Sequence, residues 1–276
     1  MTQTWLITGT SSGFGRILTE RLLERGDRVA ATLRRMNALN DLQAQYPDRL
    51  WVAPLDLTDT VAIQATVDRA FAELGHIDVV VGNAGYGLFG AGEEVTDEQI
   101  DHQIATNLTG AIQFIRKVLP HMRNQGGGRI LQVSSEGGQI AYPNFGLYHA
   151  TKWGIEGFVE AVRQEVEPFG IMVTIIEPGP TNTDFKSGLV RGPVMDVYDE
   201  TPAGAVRKAL DSGTFVVTGN PYKMVDAILH SATKIPAPVR LALGKTTYTS
   251  VKAALTARLA ELEAQKEITL AMDDEA

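Results

Sequence analysis

The sequence contains no cysteine and only five histidines, and both shortages limit its chemistry. Without a thiol, disulfide bonds, cysteine nucleophiles and thiolate metal sites are all excluded. The histidines, at positions 76, 102, 121, 149 and 230, stand singly and lack the spacing of metal ligands, so we expect no metal site.

Long apolar runs and net positive charge are also lacking. No uninterrupted apolar stretch approaches the length needed to span a bilayer, so we expect no membrane insertion. The net charge of −8 argues against binding to nucleic acid or to anionic membranes. A strand pattern begins almost at the first residue and leaves no room for a signal peptide. These features favour a cytoplasmic protein.

The 276 residues, 44% of them hydrophobic, are enough for a sizeable core. Short apolar runs alternate with helical patterns along the chain, which predicts a doubly wound parallel α/β sheet within a single domain, residues 1–276. The seven predicted strands cover residues 5–8, 29–33, 50–55, 77–81, 129–134, 171–176 and 239–243.

A glycine-rich turn follows the first predicted strand and precedes a helical pattern. Glycines let the backbone approach a pyrophosphate, and the helix N-terminus offers free N–H groups. The alternative is a tight strand-to-helix corner without a ligand. The turn consists of Gly9, Thr10, Ser11, Ser12, Gly13, Phe14 and Gly15.

Arg34 follows the second predicted strand, where NAD-binding folds tend to carry an acidic residue for the ribose 2′-hydroxyl. A guanidinium suits a 2′-phosphate instead, so Arg34 indicates a preference for NADP(H). The alternative is that Arg34 and Arg35 are solvated residues at the start of the next helix.

Polar or glycine-rich features follow five of the predicted strands. Because ligands of such sheets bind outside the carboxyl ends of the strands, we expect these features to share one site. They are Gly9, Asp56, Asn83 with Ala84 and Gly85, Ser135, and Pro178 with Gly179.

Tyr148 and Lys152 are one helical turn apart on a predicted amphipathic helix, and Ser135 comes from a neighbouring strand. A nearby cation stabilises a phenolate and so lowers the pKa of a tyrosine. A phenol tuned in this way exchanges a proton with an alcohol or alkoxide, while the serine hydroxyl stabilises charge on the same oxygen. Taken alone, the pair is more typical of an ordinary helix surface.

A long helix is predicted over about residues 96–125, with Asn107 as a polar residue inside it. Residues 180–218 show no regular pattern and predict a substrate loop or lid, or else a loosely ordered insertion. A helical extension over about 245–268 carries an apolar stripe that packs on the core or on a second subunit. The last residues, from Asp273 to Ala276, are expected to be a frayed tail. The stripe consists of Val251, Leu255, Leu259 and Leu262.

With these motifs in hand, the sequence resembles the short-chain dehydrogenase/reductase family over nearly its whole length, which implies a Rossmann fold. By that resemblance, Asn107, Ser135, Tyr148 and Lys152 form the catalytic tetrad. Tyr148 would be the general acid/base, Ser135 would polarise the carbonyl, Lys152 would bind the nicotinamide ribose and lower the tyrosine pKa, and Asn107 would hold a water. The cofactor contacts implied are Gly9, Ser11, Ser12, Gly13, Phe14, Gly15, Arg34, Asp56, Leu57, Asn83, Ala84, Gly85, Tyr148, Lys152, Pro178, Gly179, Thr181 and Thr183.

The leading interpretation is an NADP(H)-dependent oxidoreductase that interconverts a ketone or aldehyde with an alcohol, with NAD(H) also possible. The resemblance extends to members that act on retinoids or 17β-hydroxysteroids, and to dimers or tetramers. Two other classes stay open: a non-catalytic sensor or scaffold that binds the cofactor, and a lyase or epimerase that uses it transiently. Candidates for an apolar substrate pocket are Tyr86, Phe89, Pro143, Phe145, Phe185 and Met195.

Overall fold

The computed structural model describes residues 2–273, and the predicted frayed residues 274–276 lie outside them. Nine strands form within this part of the chain: β1 (Thr4–Thr8), β2 (Arg28–Leu33), β3 (Leu50–Pro54), β4 (Val79–Gly82), β5 (Leu88–Phe89), β6 (Gly128–Val133), β7 (Ile171–Pro178), β8 (Val190–Arg191) and β9 (Arg240–Leu243). Seven of them make one sheet in the order β3-β2-β1-β4-β6-β7-β9, and every neighbouring pair is parallel. The predicted doubly wound sheet is confirmed.

Helices cover both faces of the sheet and bury two apolar clusters against it. They are α1 (Gly13–Arg25), α2 (Asn40–Gln45), α3 (Thr60–Leu74), α4 (Asp97–Ile104), α5 (Ala111–Asn124), α6 (Gly146–Val166), α7 (Pro202–Asp211), α8 (Pro221–Ser231), α9 (Lys245–Ala264) and α10 (Lys266–Leu270). The side chain of Asp59 caps α3 by accepting the N–H of Ala62 at 2.9 Å. Among the described residues, no helix combines the length and the apolar character that a membrane crossing needs.

The predicted helix over 96–125 is interrupted. Between α4 and α5, residues Ala105–Gly110 form wider π-helical turns. Gly110 lies directly against the carbonyl oxygen of Leu57, where a Cβ atom would overlap it. A π-helical insertion of this kind re-aims side chains and is frequent at functional sites, and here it carries Asn107.

Residues 180–218 contain more regular structure than their sequence pattern indicates. β8 pairs with β5 in a small second sheet, and α7 buries Ala203 and Leu210. The start of α7 has a recognisable signal, since Thr201 caps the helix by accepting the N–H of Ala203 and Pro202 takes the first helical position.

The apolar stripe on α9 is covered only at its beginning. Val251 is buried, whereas Leu255, Leu259 and Leu262 are exposed. Of the two predicted alternatives, the core of this chain therefore covers only Val251, and packing of the other three residues on a second subunit stays a prediction.

Candidate active site

The predicted features meet at the carboxyl edge of the main sheet. Strands β1, β3, β4, β6 and β7 end next to Gly9, Asp56, Asn83, Ser135 and Gly179. In parallel sheets this edge is the usual ligand site.

The glycine-rich turn is clamped to the end of β4. The side-chain amide of Asn83 donates to the carbonyl oxygens of Thr8 at 2.9 Å and Gly9 at 3.0 Å. Gly9 has φ +72°, and a Cβ on Gly15 would overlap the Gly9 carbonyl oxygen. The Thr8 hydroxyl accepts the N–H of Ala84 at 3.1 Å, so the turn and the Asn83–Gly85 segment form one rigid unit.

A cleft of about 750 Å³ opens at the N-terminus of α1. Ser11, Ser12 and Gly13 line one side, and Asn182 and Thr183 line the other. A Cβ on Gly13 would extend into this cleft and reach within 3.9 Å of the Thr183 Cβ. Free helix N–H groups, serines and a missing side chain suit a phosphate.

Beyond this cleft, two hydrogen bonds fix the segment that follows β7. The Gly179 N–H donates to the Leu243 carbonyl oxygen at 3.0 Å, and the Thr181 hydroxyl donates to the Gly179 carbonyl oxygen at 2.7 Å. Pro178 is buried at the strand end. The turn from Pro178 to Thr183 is thus joined to β9 and reaches back to the glycine-rich turn.

Arg34 is exposed at the end of β2 and lies near Asp56. Hydrogen bonds from the N–H and hydroxyl of Thr58 lower the pKa of Asp56, and the Arg34 charge adds to that effect. Arg34 is therefore available to an anionic ligand at this edge.

Two other implied cofactor contacts lie on opposite faces of the sheet. Leu57 is buried beneath the π-helical turns, and Phe14 is half-buried against the core on the other face.

Tyr148, Ser135 and Lys152 converge as predicted. All three are buried, and the Ser135 hydroxyl lies close enough to the Tyr148 phenol to lower its pKa. The Lys152 Nζ atom lies 5.6 Å from the centroid of the Tyr148 ring and donates to the Val133 carbonyl oxygen at 3.1 Å. One face of α6 and the end of β6 together build this cluster.

Burial dominates the pKa values of the pair. It raises the pKa of Tyr148 to about 12, against the Ser135 hydrogen bond, and lowers the pKa of Lys152 to about 8. The expected lowering of the tyrosine pKa by Lys152 is not seen. Desolvation of the buried phenol is the main cause, and the Lys152 ammonium is directed to the Val133 carbonyl oxygen.

Asn107 lies beside the cluster but is bound to Tyr86. Its Oδ1 accepts the Tyr86 N–H at 3.1 Å, and its Nδ2 donates to the Tyr86 carbonyl oxygen at 2.7 Å. Gly85 approaches the same amide closely, so that a Cβ there would lie 3.2 Å from the Asn107 Oδ1. Both polar ends of the Asn107 side chain are thus engaged by protein backbone.

Apolar and aromatic side chains surround Tyr148. Of the predicted pocket residues, Phe145 and Phe185 pack against its ring at centroid distances of 6.1 and 5.5 Å, and Phe89 joins the same cluster. Tyr86 instead packs against His102, and Pro143 and Met195 are exposed. The helical and loop partners that sequence analysis missed are Tyr142, Leu189, Val206, Leu210 and Phe215.

Two buried acids near the cluster were also missed. Glu136 follows Ser135 directly, and Glu156 follows Lys152 by one helical turn. Burial raises the pKa of both carboxyl groups. A glutamate between Ser135 and Gly137, within a run of small residues, was the signal available in the sequence.

Comparisons with known proteins agree with this geometry. The family model described as short chain dehydrogenase matches residues 3–192. The chain is 33% identical to "Oxidoreductase BOA17" of Botryotinia fuckeliana over 272 residues, which cover 98% of this chain and 99% of that protein.

Two solved structures support the same family. A short-chain dehydrogenase from Streptomyces avermitilis is 35% identical, with a TM-score of 0.91 over 99% of this chain and 98% of that one. The closed form of a serine dehydrogenase complexed with NADP+ is 30% identical, with a TM-score of 0.73 over 87% of this chain and 93% of that one. The chain belongs to the short-chain dehydrogenase family.

Proposed function

We propose that this protein is an NADP(H)-dependent oxidoreductase that interconverts a ketone or aldehyde with an alcohol. The observation that carries the proposal is the convergence of the Tyr148 phenol, the Ser135 hydroxyl and the Lys152 ammonium at the sheet edge that also holds the glycine-rich cleft. A fold in this family with NADP+ bound, the serine dehydrogenase, supports the cofactor, and the exposed Arg34 supports the 2′-phosphate.

The bound dinucleotide would supply a hydride to the carbonyl carbon in the reduction, or accept one from the alcohol carbon in the oxidation. In the reduction, the Ser135 hydroxyl donates a hydrogen bond to the carbonyl oxygen and stabilises the charge that develops there. Tyr148 then gives its proton to that oxygen, and a pKa of about 12 keeps this phenol protonated at neutral pH. Lys152 would replenish the proton and hold the cofactor ribose.

The remaining parts of the chain have matching roles. Gly9, Ser11, Ser12, Gly13 and Gly15 would cradle the pyrophosphate, and Thr183 would close over it. Residues 180–218 would act as a lid over an apolar substrate, within a single domain whose helical extension follows at about 245–268. The apolar and aromatic side chains of the Phe145 cluster favour an apolar carbonyl compound. We place the enzyme in the cytoplasm as a homodimer or homotetramer.

The first experiment measures NADPH and NADH consumption against a panel of aldehydes and ketones, with Tyr148→Phe beside the wild type. We expect turnover with NADPH that the variant loses while its NADPH binding stays nearly intact, because the phenol hydroxyl alone is removed. Equal turnover in the two proteins would contradict the role of Tyr148. Cofactor binding without any turnover would favour a sensor, and turnover without net cofactor oxidation would favour a lyase or epimerase.

A further inference from the structure

Glu156 is a buried acid on α6 that the proposed reaction does not use. It lies one turn beyond Lys152 and two turns beyond Tyr148, and its side chain is 3% exposed. Burying a carboxyl group is unfavourable unless it is hydrogen-bonded or paired. Its partners therefore indicate what the residue does.

One carboxylate oxygen of Glu156 contacts the chain on both sides of Ser135. Oε1 accepts a hydrogen bond from the Ser134 hydroxyl at 2.5 Å. The same oxygen lies against Gly138, where a Cβ atom would overlap it. Ser135 is thus held between two segments that rest on a single side chain.

The other oxygen fixes Glu156 itself. Oε2 pairs with Arg240 on β9, and the same guanidinium pairs with Glu177 on β7 and with Glu160 at 2.7 Å. Gln139 donates to the second oxygen of Glu177 at 2.6 Å. Because Arg240 offers several donors in a planar group, it holds these carboxylates in one arrangement.

Glu156 also acts on Lys152 through charge. The Lys152 ammonium donates to Val133, the residue before Ser134. Burial lowers the pKa of Lys152, and the charge of Glu156 opposes that effect. Burial raises the pKa of Glu156 itself, Arg240 and the Ser134 hydrogen bond lower it, and Glu177 raises it. The other titratable groups that face this region are Tyr148 and Glu136, and the charge of Glu136 raises the pKa of Tyr148.

We propose that Glu156 is a positioning residue, which fixes Ser135 relative to Lys152 and holds the Lys152 side chain as an ammonium ion. This inference rests on the proposed function for its effect on catalysis, but its effect on Lys152 exists without any substrate or cofactor.

The direct test follows the lysine Cε signals by NMR against pH in the full chain, with Lys152→Met to assign the signal of Lys152. In Glu156→Gln we expect its titration midpoint to fall by about one pH unit, because an opposite charge is removed. Glu160→Gln is the matched control, since Glu160 shares Arg240 but contacts neither Ser134 nor Gly138. A midpoint in Glu156→Gln equal to that of the wild type would overturn the electrostatic part of the proposal.

Ser134→Ala tests the positioning part even if Glu156→Gln does not fold. It removes the hydrogen bond to Glu156 and leaves the charges in place. With a substrate that the wild type turns over, we expect kcat to fall up to about tenfold with NADPH affinity unchanged. An unchanged kcat would overturn the positioning role. If the wild type has no turnover, the proposed function fails, while the NMR titration still decides the effect on Lys152.

Discussion

Glu94 and Arg207 form a buried ion pair that joins the proposed lid to the body of the protein. The Arg207 guanidinium pairs with Glu94 Oε1, which also accepts the Met195 N–H at 2.9 Å, and Oε2 accepts the Ala91 N–H at 2.8 Å. Both side chains are at least nine-tenths buried. Residues 180–218, which the sequence predicts as a lid or a loosely ordered insertion, are thus tied to the body of the protein at this pair.

Glu94→Ala should release the lid. Removing one partner of a buried pair leaves the other charge uncompensated, which costs about 3–5 kcal/mol. We expect faster amide hydrogen exchange over residues 190–211 with little change in the main sheet. Lys208→Ala is the control, because Lys208 lies on α7 beside Arg207 but forms only an exposed pair with Glu200. This variant should exchange like the wild type. Equal exchange in all three proteins would contradict the anchoring role.

Asn107→Ala should destabilise the fold as well as reduce turnover. The substitution leaves the Tyr86 N–H without its side-chain acceptor and weakens the bonding of the Tyr86 carbonyl oxygen, which Gln103 also contacts at 3.1 Å. The expected loss in the free energy of unfolding is about 1–3 kcal/mol, measured by urea denaturation. If stability is unchanged while turnover falls, the role of Asn107 is in the proton path rather than in holding Tyr86.

Arg34→Ala should weaken the binding of NADPH much more than that of NADH. One charge-assisted contact to the 2′-phosphate is lost, which is worth about 1.5–3 kcal/mol, and NADH lacks that group. Fluorescence titration with each cofactor measures the two affinities. Arg35→Ala is the control at the neighbouring exposed position. A matched loss for both cofactors would show that Arg34 does not read the phosphate.

The free energy of unfolding should depend on pH through Lys152. Its pKa is about 8 in the folded chain against an ordinary value of 10.5, so between these values the unfolded chain binds more protons. Stability from this group therefore rises with pH across that window. We expect the stability of the wild type relative to Lys152→Met to increase between pH 7.5 and 10, in the protein without cofactor. A constant difference would mean that folding does not lower the pKa of Lys152.

The sequence predicted those parts of the fold that depend on local pattern. Apolar runs such as Val79–Gly82 are buried on both faces, and this is why their positions were recovered within two or three residues. The π-helical turns at Asn107 could not be predicted in the same way. They depend on the contact of Gly110 with Leu57, which lies more than fifty residues earlier in the chain.

The same distinction between local pattern and distant contacts applies to the candidate site. The proposed tetrad stands in motifs with fixed spacing, and the structure brings Ser135, Tyr148 and Lys152 together. Glu156 could not be assigned a role from its position, because its partners come from three other strands or strand ends. The pKa of Tyr148 was predicted in the wrong direction, since the depth of burial and the acceptor chosen by Lys152 are tertiary features.

Arg240, which anchors Glu156, lies outside residues 3–192, the stretch that the family model matches. The same is true of Arg207, which anchors the lid. The two arginines thus lie in the C-terminal part of the chain, outside the stretch that carries Ser135, Tyr148 and Lys152. Substitutions confined to the C-terminal third are therefore expected to reach both the surroundings of Glu156 and the proposed lid, while the four proposed catalytic side chains stay unchanged.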